Sequence, residues 1–394
     1  MRPLTATMLA ISLLILMSCQ HTPAQWQLKK PQDLLVDQAY FQGQLHAVQT
    51  ADEIFRLPQA NKQELSQLKL ERKDIAEYST AILAYIQAYT NGALAYNQTK
   101  TRAVSETLAT GEANCLSLSI LAYSIAKEVG LEPVFQDVAI PEYWSSGINQ
   151  IWLSGHINLK ILQNRQLNYG SGMVLLGNDI VIDFDSITLK QRFTTKKISP
   201  QRVLAMFYNN KAAEYFDRGN FAQTYRYYLA AIKADPDYPA TWSNLAVLYR
   251  QHHRYSLAEH AYHHSLALNP KAINTLANLA MLYRYMGNEN KAVRLEQQVH
   301  EKRKANPWYY VMLGNEALKF NNPEKAIKLF RHSLSLNISM HEAYFGLAKS
   351  YFALNNTHKA AYYLSKSRRA ALSNEDKERY QHKIDTLDRL ASAG

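Results

Sequence analysis

Three residues of this chain have types and settings that acyl-transfer chemistry can use: Cys115, His156 and Asp183. Cys115 follows Gly111-Glu-Ala-Asn114, whose Gly and Asn mark a loop, and it opens an apolar stretch at 116–129 that Gly130 ends. That pattern predicts a helix with the cysteine at its N-terminus. There the helix dipole and the free backbone N–H groups favour a thiolate, the form of cysteine that attacks a carbonyl. His156 falls in 151–162, where Ile157, Leu159 and Ile161 alternate with His156, Asn158 and Lys160 as in a strand. Asp183 falls in a second strand signal at 180–184. An imidazole can take the thiol proton, and a carboxylate can orient the ring and stabilise its cation.

These side chains need a scaffold. From 51 to about 95 the periodicity is helical, with Ile75, Tyr78, Ile82, Tyr85 and Ile86 on one face. Strand signals lie at 134–140, 151–162, 173–176 and 180–184, and Gly177-Asn178 predicts a turn pairing the last two. A hydrophobic helix followed by antiparallel strands fits an α+β layer, assigned to 51–200.

Cysteine first, then histidine on a strand, then aspartate on a later strand resembles the transglutaminase-like branch of the papain-like cysteine enzymes. The matching pieces are Gly111-Glu-Ala-Asn114-Cys115-Leu-Ser-Leu, Gly155-His156-Ile-Asn-Leu and Val181-Ile-Asp183-Phe-Asp185. The resemblance implies a Cys115 nucleophile, a His156 base and an Asp183 orienting group, with no metal and no cofactor.

The second half repeats with a period of 34. The eighth place of each unit reads Ala212, Ala246, Ala280, Gly314 and Ala348. The fourth reads Tyr208, Trp242, Leu276, Tyr310 and Tyr344, and the twentieth Thr224, Ala258, Ala292, Ala326 and Ala360. Small residues let paired helices approach, large ones fill the gaps, and neighbouring units bury the faces that none can bury alone. The pattern is similar to the tetratricopeptide (TPR) repeat. Five units are expected at 205–238, 239–272, 273–306, 307–340 and 341–374, with a capping helix at 375–391. The predicted fold class is therefore an α+β transglutaminase-like domain followed by an all-α TPR superhelix. By the same resemblance, the first helices line a peptide-binding groove. Asn210, Asn244 and Asn278 would pair with a ligand backbone, and Arg250 and Arg284 with a carboxylate.

The 394 residues carry 44 Lys+Arg against 33 Asp+Glu, a net +11. Within 205–374 Lys and Arg outnumber Asp and Glu by 22 to 11, so the whole excess sits on the array. An acidic peptide or protein would be attracted at long range. Only 2 cysteines are present, which excludes a disulfide framework. The pairs His252-His253 and His263-His264 lack a Cys or carboxylate cluster and read as surface histidines.

The opening residues read as an address. Arg2 precedes a short apolar run ending in Leu16-Met17-Ser18-Cys19. This resembles the lipobox of bacterial lipoproteins, with 1–18 removed, Cys19 acylated and 19–50 as anchor and linker. Gln20 after the cysteine favours, by that resemblance, the outer membrane facing the periplasm, and export argues against nucleic acid as partner. Two functions compete: acyl transfer or amide hydrolysis on a peptide or protein, and a non-catalytic TPR scaffold whose thiol domain is inactive.

Overall fold

A computed structural model describes residues 29–71, 75–89, 95–97, 100–146, 151–162, 165–169, 172–176, 179–184, 193–371 and 374–392. Cys19 and Asp185 lie outside them. Among the described residues no helix is long and apolar enough to cross a membrane.

The first half is built around one helix. It is α5 (Cys115–Glu128), preceded by α1 (Ala51–Phe55), α2 (Gln59–Glu71), α3 (Ile75–Tyr89) and α4 (Val104–Thr110). Eleven of its residues are buried, from Cys115 to Ala126. A helix buried on nearly every side needs cover on nearly every side. The earlier helices cover part of it, and strands β3 (Pro133–Ser146) and β4 (Ile151–Ile161) cover the rest. Phe135, Ile157, Leu159 and Ile161 are all within 1% of full burial. The sheet is antiparallel, in the order β7-β4-β3-β8, with β7 at Ile180–Ile182 and β8 at Thr195–Ile198. A short parallel pair, β1 (Ala95–Tyr96) with β2 (Glu112–Ala113), leads into α5.

One expected pairing is corrected. The segment at 172–176 is β6, and it pairs with β5 (Arg165–Tyr169). It does not pair with β7, which instead extends the main sheet through Leu159↔Ile182. Apolar Ile180 and Ile182 gain more by joining the core beside β4 than by closing a small exposed hairpin.

The second half is an all-helical array. Its helices run α6 (Pro200–Asp217), α7 (Phe221–Ala234), α8 (Pro239–Gln251), α9 (Tyr255–Leu268), α10 (Ile273–Tyr285), α11 (Glu289–Arg303), α12 (Pro307–Lys319), α13 (Pro323–Leu336), α14 (His341–Ala353), α15 (Thr357–Ala370) and α16 (Asn374–Ser392). The first helices of units two to five begin 34 residues apart, and so do the second helices of all five units. Pro at the start of α6, α8, α12 and α13 suits a position whose N–H has no intrahelical partner. Gly314 and Gly346 have a packing cause. A Cβ on either would come within 2.6 Å of the Phe330 ring, which wedges between α12 and α14.

Residues 29–50, expected to be linker, are a packed arm. Leu34 is 0% and Phe41 4% exposed. The arm lies against the second helices α7 and α9, and its backbone is read by array side chains. The Tyr249 hydroxyl donates to Leu34 O at 2.6 Å, and the Tyr225 hydroxyl bonds both N and O of Val36 at 2.7 Å. Gln223 brackets His46 N and O at 2.8 and 3.1 Å. Leu34 and Phe41 belong to one hydrophobic cluster that runs through α5 and on to Tyr283, so the first half and the first three units share a core. Units four and five have their own, and Tyr380 of α16 closes the end at 0% exposed.

Candidate thiol site

Cys115 is the first residue of α5, and the loop that delivers it is tightly bonded. Gly111 adopts φ 66°, a left-handed turn that ends α4. Asn114 caps α5, its Oδ1 accepting from Ser117 N and Ser117 Oγ, both at 2.9 Å. Its Nδ2 donates to Thr101 Oγ1 at 2.8 Å, and Arg102 N donates to Ser117 Oγ at 2.8 Å. The cysteine is thus fixed by bonds on both sides of the helix start. The thiol is buried and donates to the carbonyl of Gly155 on β4 at 3.8 Å.

His156, next along β4, is 1% exposed. Its Nε2 meets Asp183 Oδ1 at 2.8 Å, and Asn158 Nδ2 donates to Asp183 Oδ2 at 2.9 Å. Both carboxylate oxygens therefore have donors, just beyond the end of β7. Burial alone would push the imidazole down. The Asp183 hydrogen bond, the hydrogen bond and charge of Cys115, and the Asp183 charge outweigh it, and the ring is pushed up to about 10. The structure therefore brings Cys115, His156 and Asp183 into one cluster, in which the Asp183 carboxylate and the nearby sulfur favour the cationic form of the ring.

Asn158 was not singled out as a site residue, although its signal is simple. It stands two residues after His156 on one strand, so the two share a face. Glu142 on β3, held by Arg303 from 161 residues away, carries no local signal. A surface depression formed by Asp52, Phe55, Tyr123 and Lys127 lies along the other end of α5 and contains none of the site residues. Among the described residues, no group of three or more His, Cys, Asp or Glu is placed to hold a metal ion.

The proposed groove residues are less uniform. Asn210, Asn244 and Asn278 are half-buried on the first helices α6, α8 and α10, and Asn244 Nδ2 donates to Asn209 Oδ1 at 3.0 Å. The Arg250 guanidinium lies 5.8 Å from the Tyr285 ring centre. Arg284 already has carboxylate partners within the chain. Its fork is bound by both oxygens of Glu296 at 2.6 Å and by Glu289 at 2.5 Å, so the chain supplies the carboxylate expected from a ligand. The histidine pairs are a correction. His253 is exposed, but His252 packs edge-on against Phe41 and Phe221, and His264 against Trp242. Burial pushes His263 down to about 4, with the charges of His260 and Lys291 adding to it.

Residues 227–260 and 311–374 match the tetratricopeptide repeat family. The C-terminal half is an array of tetratricopeptide repeats. Among solved structures, Pseudomonas aeruginosa PilF is 18% identical with a TM-score of 0.30, the match covering 50% of this chain and 96% of that one. MamA is 19% identical with a TM-score of 0.27, covering 43% and 97%. YrrB, a TPR protein with an unusual peptide-binding site, is 14% identical with a TM-score of 0.26, covering 45% and 92%. No curated protein matches the chain.

Proposed function

We propose that the first half is a transglutaminase-like thiol domain that performs acyl transfer or amide hydrolysis, and that the TPR array recruits its peptide or protein substrate. The observation that carries this reading is the His156 ring, buried between the Cys115 sulfur and the Asp183 carboxylate and favoured in its cationic form. In the reaction, the Cys115 sulfur attacks an amide carbonyl while His156 holds the thiol proton. The first N–H groups of α5, those of Cys115 and Leu116, have no intrahelical partner and are suited to the oxyanion. The proton on His156 then goes to the departing amine, which leaves a thioester. Water or another amine attacks the thioester and returns the thiol. Asp183 keeps the ring oriented, and Asn158 keeps Asp183 oriented.

Alkylation by iodoacetamide tests this. Cys115 should react faster than free cysteine at pH 6.5, and His156→Ala should slow it by at least about 100-fold, the scale of a lost proton-transfer partner. Reaction no faster than free cysteine would overturn the enzymatic reading. The second reading, a TPR scaffold with an inactive thiol fold, draws support from the burial of all three side chains.

The array reading predicts that Asn244→Ala weakens recovery of a bound protein; unchanged recovery rejects it. The same proposal includes a lipid anchor at Cys19, outer-membrane placement, and an acidic partner drawn by the +11 charge. Incorporation of labelled palmitate that persists in Cys19→Ser would remove the anchor from it.

A further inference from the structure

β3 and β4 keep register except at one place. Val138 pairs with His156 and Tyr143 with Ser154, so the four residues 139–142 stand opposite Gly155 alone. This bulge borders the thiol directly, because the Gly155 carbonyl accepts from Cys115 and the next residue is His156. A bulge re-aims the strand that carries it and needs support from elsewhere. Here the support comes from the array. Arg303, the last residue of α11, binds both oxygens of Glu142 at 2.7 and 3.2 Å. Asn306, which caps α12 through Trp308 N, donates from Nδ2 to the Glu142 carbonyl at 2.7 Å. Arg303 is 4% exposed. One side chain thus fixes the carboxylate and another the backbone, and a two-pronged, part-buried pair restricts orientation as well as distance. Both partners sit at the seam between units three and four, more than 160 residues along the chain. Gly155 itself leaves room: a Cβ built there meets nothing within 4 Å.

We infer that Arg303 and Asn306 are positioning residues of the thiol site, acting through the Glu142 bulge on Gly155 and so on the meeting of Cys115 with His156. The array is then part of the site's frame, and a ligand that shifts the seam between units three and four changes the chemistry at the sulfur. The mechanical part stands on the contacts above; the chemical part rests on the acyl-transfer reading.

The test uses the full chain with Arg303→Ala, the milder Asn306→Ala, Arg303→Lys, and the exchanged pair Glu142→Arg with Arg303→Glu. Amide hydrogen exchange at 155–158 and iodoacetamide alkylation of Cys115 from pH 6 to 9 are followed together, with exchange in α14 and α15 as the folding control. Arg303→Ala should raise exchange at 155–158 at least tenfold and lower alkylation at pH 6.5 at least tenfold, with a smaller loss at pH 8.5. Asn306→Ala should do the same to a lesser degree. The exchanged pair should recover most of both losses, and Arg303→Lys only part, because an ammonium cannot span both oxygens. Unchanged exchange at 155–158 in Arg303→Ala overturns the inference whatever the thiol does. Raised exchange with the pH profile merely scaled down reduces the seam to glue and also overturns it. A thiol already inert in the unsubstituted protein, with exchange responding as expected, condemns the acyl-transfer reading and leaves the seam's hold on the strand standing.

Discussion

The array and the thiol half bury different things. In the array the largest fully enclosed side chains are aromatic, with Trp242, Tyr249, Tyr262 and Phe330 all 0% exposed, and the polar side chains enclosed there are mostly small hydroxyls such as Thr241, Ser265, Ser333, Ser350 and Ser367. Shape decides what fits there, as the Phe330 ring over Gly314 and Gly346 demonstrates. In the thiol half the interior around α5 is full of polar groups, among them Thr101, Asn114, Ser117, Ser119, His156 and Asn158, none more than 5% exposed. Buried polar groups are costly unless bonded, and several of these bond to one another or to backbone. The contrast teaches where damage travels. A misfit in the array disturbs neighbouring units, because each unit's contacts are mainly with the next. A lost partner in the thiol half orphans a buried polar group at the Cys115 cluster itself.

That contrast can be broken by experiment. The largest effect should come from Phe330→Ala, which empties the wedge between α12 and α14 at a cost of about 3–5 kcal/mol. Hydrogen exchange should show units four and five loosening, while Cys115 alkylation falls less than in Arg303→Ala, because Arg303 of unit three still holds Glu142. An equal loss at Cys115 would mean that the two halves fail together. A smaller effect concerns pH. Held up at about 10 against an ordinary value near 6.5, the His156 cation contributes stability that is complete below about pH 6.5 and is lost as the pH rises through about 10. Thermal midpoints of the unsubstituted protein and His156→Gln should therefore lie furthest apart near pH 6 and converge by pH 10.5. A constant gap would refute the raised ring. The smallest effect is expected at Arg284→Ala. Its partners Glu289 and Glu296 are on the surface, where ion pairs contribute little, so the midpoint should not move measurably. A clear drop would give this surface cluster a structural weight that the contrast denies it.

The sequence disclosed these regions unequally, for physical reasons. The array was legible because stacking repeats one packing problem, so the same sizes recur at the same places, from Ala212 to Ala348. Within the thiol half, residue chemistry and strand periodicity located Cys115, His156 and Asp183, which the fold brings together. Asn158 was within reach of the same periodicity. The grip of Arg303 on Glu142 was not, since a contact across 161 residues leaves no local pattern. Nor was the pairing of β6 with β5, because short apolar runs do not name their partners. The pairing of Arg284 was also hidden, because the acids that hold it lie 5 and 12 residues away on the next helix.

The arm at 29–50 has a consequence for how the chain comes into being. It is made before the residues that hold it, since the Tyr249 hydroxyl that grips Leu34 lies 215 residues later. At ~5–20 residues per second, the arm waits roughly 10–40 s for that tyrosine to be synthesised. Throughout the delay Leu34 and Phe41 have no pocket to enter. The growing chain therefore carries a sticky segment until its second repeat exists, and a chaperone acting during synthesis has a natural client there.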